Sequence, residues 1–169
     1  DENSVSVRNI QTNQLIPSAS LDLQFDPQTH EATLTFPGLA DSLLDDGNWR
    51  MTINGQSVRD QFGNQLDGNS DGLAGDSFSF DFYTLAGDVN RDRTVNFSDL
   101  LIVAQMYNTV GNTFSSGNVD YSSDGLVDFN DLLIMAQEYG NNLPIAFARS
   151  PIASAPRRIS DDVLKSSNI

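Results

Sequence analysis

Two stretches of the chain repeat oxygen-bearing side chains at a spacing that suits a divalent cation. A shift of 32 residues carries Asp88 onto Asp120, Asp92 onto Asp124, Phe97 onto Phe129 and Asp99 onto Asp131. The run Asp99-Leu100-Leu101-Ile102 falls on Asp131-Leu132-Leu133-Ile134, and Ala104, Gln105 and Tyr107 recur as Ala136, Gln137 and Tyr139, all without a gap. Self-similarity at a fixed period marks a duplicated structural unit. Counted from the first aspartate, positions one, three, five, nine and twelve hold Asp88, Asn90, Asp92, Asn96 and Asp99 in one unit. The other unit places Asp120, Ser122, Asp124, Asp128 and Asp131 there. Calcium takes roughly six to eight oxygens at about 2.3–2.6 Å, and a loop of about 12 residues wraps them around one centre. Position seven supplies its backbone carbonyl, so Thr94 and Leu126 need not match. The chemistry expected is the binding of two calcium ions.

The loops are not equivalent. Position six normally carries glycine for its positive φ; Gly125 meets that need and Arg93 does not. Position twelve is aspartate, shorter than the usual glutamate. The first loop offers Asp88, Asp92 and Asp99, the second Asp120, Asp124, Asp128 and Asp131, so the second is expected to bind calcium more tightly. Val95 and Val127, at position eight, either pair as a short β-bridge or pack inward. A further acidic stretch holds Asp67, Asn69 and Asp71 at alternating positions, with Gly72 sixth and Asp76 nearby. It is either a third calcium loop or a glycine-rich hairpin loop, since no carboxylate stands at its twelfth position.

Other chemistries find little support. The chain has no cysteine, which excludes disulfides, thiolate metal sites and cysteine nucleophiles. The single histidine, His30, sits in the turn-like Gln28-Thr29-His30, so no Ser/His/Asp set can be built. Asp45 and Asp46 adjoin a turn with no base or nucleophile beside them, and the phosphate-cradling P-loop pattern is absent. No enzyme is expected. With 23 acidic against 9 basic residues and a net charge of −14, the chain would be repelled by nucleic acid and anionic membrane. No apolar run reaches the roughly 18 residues that suggest a membrane span. The chain starts at Asp1 with neither methionine nor a signal-peptide pattern, so a piece of a larger protein is expected.

The elements that must hold these loops follow from periodicity. Across residues 1–86 apolar side chains alternate: Val5 and Val7; Leu21, Leu23 and Phe25; Ala32, Leu34 and Phe36; Trp49, Met51 and Ile53; Phe78, Phe80 and Phe82. Period two marks half-buried strands, and Asp26-Pro27, Pro37-Gly38, Asp46-Gly47 and Asn54-Gly55 punctuate them, which predicts an antiparallel β-sandwich with a turn across Leu39–Leu44. After Leu85 the rhythm becomes helical, over Leu100–Tyr107 and Leu132–Tyr139. Asp99 and Asp131 would close each loop and open each helix, where the helix dipole favours a carboxylate. Residues 87–142 thus read as a loop–helix pair. Residues 143–169, rich in Pro, Ser, Ala and Arg, read as a disordered tail with room for a short helix over Ser160–Lys165.

Gly87-Asp88-Val89-Asn90-Arg91-Asp92, followed by Val95-Asn96-Phe97-Ser98-Asp99-Leu100, resembles the calcium loop and helix of a type I dockerin, and Asp120–Tyr139 resembles its second segment. The resemblance covers residues 87–142 and implies a non-catalytic, calcium-dependent module that docks onto a cohesin domain. In that family the recognition positions correspond here to Phe97, Ser98 and Gln105 in one copy and Phe129, Asn130 and Gln137 in the other. The two phenylalanines are either exposed contacts or inter-repeat packing. Burial against each other would favour a purely structural calcium clasp without a partner. Upstream, Gly47–Ile53 followed by Val58-Arg59-Asp60-Gln61-Phe62-Gly63-Asn64 is similar to bacterial Ig-like domains, in which such a turn ends a hairpin. An Ig-like module ahead of a dockerin implies an exported or cell-surface protein, as in planctomycetes, and a setting of polysaccharide catabolism.

Overall fold

The computed structural model describes residues 4–146. Of the tail expected to be disordered from residue 143, Leu143 instead packs against the helical core and the Pro144 carbonyl accepts a hydrogen bond from Asn48; residues from 147, with the short helix expected over Ser160–Lys165, lie outside the described residues.

Each of the five alternating runs forms a strand: β1 (Val5–Asn9), β2 (Asp22–Asp26), β3 (Glu31–Thr35), β4 (Gly47–Ile53) and β5 (Phe78–Thr84). They make an antiparallel three-stranded sheet in the order β1-β4-β5 and a separate β2-β3 hairpin. Registers of Val7 with Met51, Trp49 with Phe82, Met51 with Phe80 and Ile53 with Phe78 put the apolar side chains on one face. Val7, Ile16 and Trp49 are buried there, and Leu21, Leu34, Phe36, Leu39, Leu44, Met51 and Phe82 pack against them. The hairpin and its flanks therefore cover one end of the sheet, while Phe78 and Phe80 stay 43% and 40% exposed at the other. A short 3-10 turn, Ala40–Ser42, occupies the stretch expected to turn.

The region is β-rich, but an Ig-like sandwich carries about seven strands in two sheets; the described residues hold five, in sheets of three and two. Asn54-Gly55 does not turn β4 straight into β5. The Asn54 side chain accepts the Gln56 N–H and its carbonyl accepts those of Ser57 and Val58, so the chain coils away before returning at Phe78. Within that excursion Asp60 accepts the N–H groups of Phe62 and Asn64, closing a tight turn at Gly63 (φ 86°). The bonds from Asn64 hold the Asp60 carboxyl below its ordinary range.

The helical rhythm yields α1 (Phe97–Met106) and α2 (Phe129–Glu138), again 32 residues apart. Asn96 and Asp128 cap them by accepting the Ser98 and Asn130 N–H groups. Asp99 and Asp131 reach back to the N–H of each cap, closing reciprocal capping boxes. Such a cap contributes about 1 kcal/mol. Both helices end where a residue enters the left-handed region, Asn108 (φ 64°) and Gly140 (φ 92°). Val103 and Met135 are fully buried and meet Leu85, Val89, Val95, Val119 and Val127 in one core.

Val95 and Val127 both pack inward, each 0% exposed. They do not bridge to one another. Val127 exchanges hydrogen bonds with Asn108 and Thr109, just after α1, and Val95 with Gly140 and Asn141, just after α2. Each loop is thus tied to the segment leaving the other repeat's helix.

Candidate metal centre

In the first loop the backbone folds around its own carboxylates. Asp88 Oδ1 accepts the Asp92 N–H at 2.9 Å and Oδ2 the Arg93 N–H at 2.9 Å. Asp92 accepts the Thr94 N–H, and Asn90 bridges to Asp92 at 3.0 Å. Asp99, 0% exposed, accepts the Asn90 and Asn96 N–H groups on its two oxygens. The result is that Asp88, Asp92 and Asp99 each aim a carboxylate oxygen at a common point, all within 4.8 Å of one another. Burying like charges this closely is costly unless a cation sits among them. Among the described residues the one ion pair is Arg50–Asp81, so no basic side chain is paired with the loop carboxylates. The donor set is oxygen only. It fits calcium and does not suit metals that prefer sulfur or imidazole.

The second loop gathers Asp120, Asp128 and Asp131 within the same limit. Asp131, 0% exposed, accepts the Val119 and Asp120 N–H groups on one oxygen and that of Asp128 on the other. Asp124 accepts the Leu126 N–H but stays outside the converging set. The reason is local. Ser122 is too short to bridge to position five as Asn90 does; its hydroxyl instead donates to Asn118 Oδ1 at 2.9 Å. Thr94 and Leu126, the position-seven residues, are half-buried beside their loops.

The third stretch repeats the bonds that open the first loop. Asp67 accepts the Asp71 and Gly72 N–H groups, Asp71 accepts that of Leu73, and Asn69 bridges to Asp71. The carboxylate missing from its twelfth position is replaced by Asp76, which joins Asp67 and Asp71 within 4.8 Å.

All six positions expected to meet a partner are exposed: Phe97, Ser98, Gln105, Phe129, Asn130 and Gln137. Phe97 is 64% and Phe129 66% accessible, so they are not packed on each other. Leu101 and Leu133, one helical turn on, are exposed as well, which sequence reading did not pick out. Their recurrence in both repeats beside an already sufficient buried face was the available signal.

One further residue, Tyr83, was missed, and Arg93, noted only for standing where glycine is usual, gains contacts. Tyr83 donates its hydroxyl to Asp88 Oδ2 at 2.9 Å; burial, then the Asp88 carboxylate, push the phenol up to about 12. The Arg93 guanidinium lies 4.0 Å from the Tyr83 ring centroid and donates to Asn48 on β4 at 2.7 Å. Nothing in the alternation of β5 set Tyr83 apart from its neighbours.

With this geometry in hand, comparison with known proteins adds the class. The model of the Dockerin type I domain family matches residues 86–139. Among solved structures, the type II cohesin–dockerin domain from Bacteroides cellolosolvens shares 30% identity over 36% of this chain and 93% of that one, with a TM-score of 0.32. No curated protein matches the chain. Residues 86–139 thus carry a dockerin-type segment, and dockerin domains are non-catalytic docking modules. No helix among the described residues is long and apolar enough to cross a membrane.

Proposed function

We propose that residues 87–142 form a calcium-dependent docking module for a cohesin-like protein domain, with residues 1–86 as an Ig-like β spacer. The observation that carries this reading is the pair of apolar helix faces. Phe97 and Leu101 on α1, and Phe129 and Leu133 on α2, are exposed, and each helix starts from a cation-type loop. Exposed aromatics on rigid helices are the usual anchors of protein interfaces. Ser98, Gln105, Asn130 and Gln137 surround them as polar contacts. The alternative, a calcium clasp with no partner, calls for Phe97 and Phe129 packed together, and their exposure favours docking.

Calcium acts here through folding, since the ligand carboxylates repel one another until an ion neutralises them. One ion would be held by Asp88, Asn90, Asp92, Thr94, Asn96 and Asp99, and another by Asp120, Ser122, Asp124, Leu126, Asp128 and Asp131. A third would sit at Asp67, Asn69, Asp71 and Asp76. The module would attach a larger exported protein to a scaffold or cell surface, in a setting of polysaccharide breakdown. The test is capture of the full chain by immobilised cohesin domains from the same source, with calcium and with chelator. Calcium-dependent capture is expected. Failure of every cohesin to retain the chain in saturating calcium would overturn docking and leave the clasp.

A further inference from the structure

We propose that the first calcium loop is completed from the β-region: Tyr83 is a positioning residue for Asp88, and Arg93 clamps it there, so that ion binding in this loop and docking of the β-sheet onto it are one equilibrium. The proposal rests on the calcium reading above and concerns only the first loop.

Asp88 is 1% exposed, and its hydrogen bonds from within the loop come from the Asp92 and Arg93 N–H groups. The one bond it accepts from outside the loop is that of the Tyr83 hydroxyl on β5. A hydroxyl bound to a ligand carboxylate fixes its rotamer before the ion arrives. Loss of such outer partners typically costs about 10–100-fold in metal affinity.

Arg93 explains why the first loop does without glycine at position six. It takes the left-handed conformation (φ 72°) that Gly125 takes in the second loop (φ 62°). In the second loop a side chain has no room, because a Cβ on Gly125 would lie 2.5 Å from the Asn112 nitrogen. At Arg93 the side chain runs into the β-region instead. It covers the Tyr83 ring, donates to Asn48 Oδ1, and reaches the Leu143 carbonyl at 3.4 Å. Asn48, 3% exposed, in turn donates to the Pro144 carbonyl at 3.0 Å. Two strands, the loop and the segment after α2 thus meet at one side chain. A strained backbone conformation costs of order 1–3 kcal/mol and persists where surrounding contacts hold it.

The second loop has no counterpart to this arrangement. Asp120 accepts the Ser122 N–H, and the polar support nearby, Asn118, belongs to the same module. Coupling between two events is reciprocal. If the β-sheet strengthens calcium binding in the first loop, calcium there must tighten the sheet's hold on the module.

Calcium titration calorimetry on the full chain tests this with Tyr83→Phe, Arg93→Gly and the control Tyr107→Phe. Tyr107 is exposed at the end of α1, outside both loops. Tyr83→Phe and Arg93→Gly should each weaken one site by roughly ten-fold and leave the other unmoved, whereas the control should move neither. The Trp49 indole N–H, bonded to Thr84 beside Tyr83, supplies a second readout by NMR. It should shift in step with filling of the first loop in the wild type and lose that step in Arg93→Gly. Affinities within two-fold of wild type at both sites in both variants would overturn the coupling and leave calcium binding intact. A wild-type chain that takes up no calcium would overturn both.

Discussion

The Gly140 N–H donates to the Val95 carbonyl at 2.9 Å, and the equivalent bond with the repeats exchanged runs from the Asn108 N–H to the Val127 carbonyl at 2.7 Å. Each acidic loop is therefore stitched to the end of the helix that the other loop starts. With Val95, Val127, Val103 and Met135 sharing one core, neither repeat can lose its loop without loosening the other's helix.

Chelation should accordingly melt both helices in one transition. Far-ultraviolet circular dichroism of the full chain is expected to lose its helical component on adding chelator and regain it with calcium. Trp49, the single tryptophan, lies in the β-region core and should keep its buried emission throughout. Two separated helical transitions, or unchanged dichroism after chelation, would contradict the scheme.

The sites should differ in strength. The second loop has four carboxylates in its ligand positions to the first loop's three, though Asp124 must swing in to count. Charge count tunes affinity in such loops, so Asp99→Ala should leave the tighter residual site and Asp131→Ala the weaker one. Calorimetry on the two variants decides the order. Tyr83→Phe should then widen the gap between the sites.

Position six offers a second contrast. Gly125→Ala would place a methyl against the Asn112 backbone and fix an unfavourable positive φ. A loss of roughly 1–3 kcal/mol is expected, read as a lower unfolding midpoint in saturating calcium. Stability unchanged within about 0.5 kcal/mol would mean that residues 111–112 yield at little cost.

Much of this architecture was legible in the residues, because it obeys local rules. Strands appear where period two ran, and both helices follow the loops as expected, though α1 and α2 begin at Phe97 and Phe129, two residues before the Asp99 and Asp131 expected to open them. What was not legible is non-local. The pairing of Val95 with Asn141, and of Val127 with Thr109, depends on how the repeats face each other, which no pattern within one repeat encodes. The same holds for Tyr83 and Arg93: a tyrosine in a strand and an arginine in place of glycine acquire meaning once the sheet and the loop are adjacent. Asn54-Gly55 does turn the chain after β4, but the length of the excursion before β5 was not legible, since Asn54 satisfies its own coil rather than a hairpin ladder.

Across the sheet, Arg50 and Asp81 stand opposite each other and pair through two hydrogen bonds of 2.7 and 2.9 Å. The guanidinium holds the Asp81 carboxyl below its ordinary range. A carboxyl depressed in the folded state adds stability above its unfolded pKa and loses it as pH falls through the folded value. Asp81→Asn should therefore destabilise the chain near neutral pH, by about 0.5 kcal/mol for so exposed a pair. The difference from wild type should vanish in acid. Comparing the two proteins at each pH cancels whatever is common to both, and a difference that grows as pH falls would reverse the assignment.

Docking and folding make opposite demands on Phe97 and Phe129, and that separates them by experiment. Both rings are about two-thirds exposed, so truncating them removes little buried surface. Phe97→Ala and Phe129→Ala should shift the unfolding free energy of the calcium-loaded chain by no more than about 0.5 kcal/mol, as for surface substitutions elsewhere. At an interface, an aromatic anchor costs about 2 kcal/mol or more when truncated, which is roughly 30-fold in Kd. Leu101 and Leu133 lie one turn along the same faces and should cost less individually. If the two helices offer alternative faces, each single variant would keep part of the affinity and the double variant would lose it. If one helix dominates, a single variant would abolish capture alone. Calorimetry with a cohesin that retains the chain, run on both singles and the double, distinguishes these cases. A double variant that binds as tightly as wild type would remove the aromatic faces from the interface altogether.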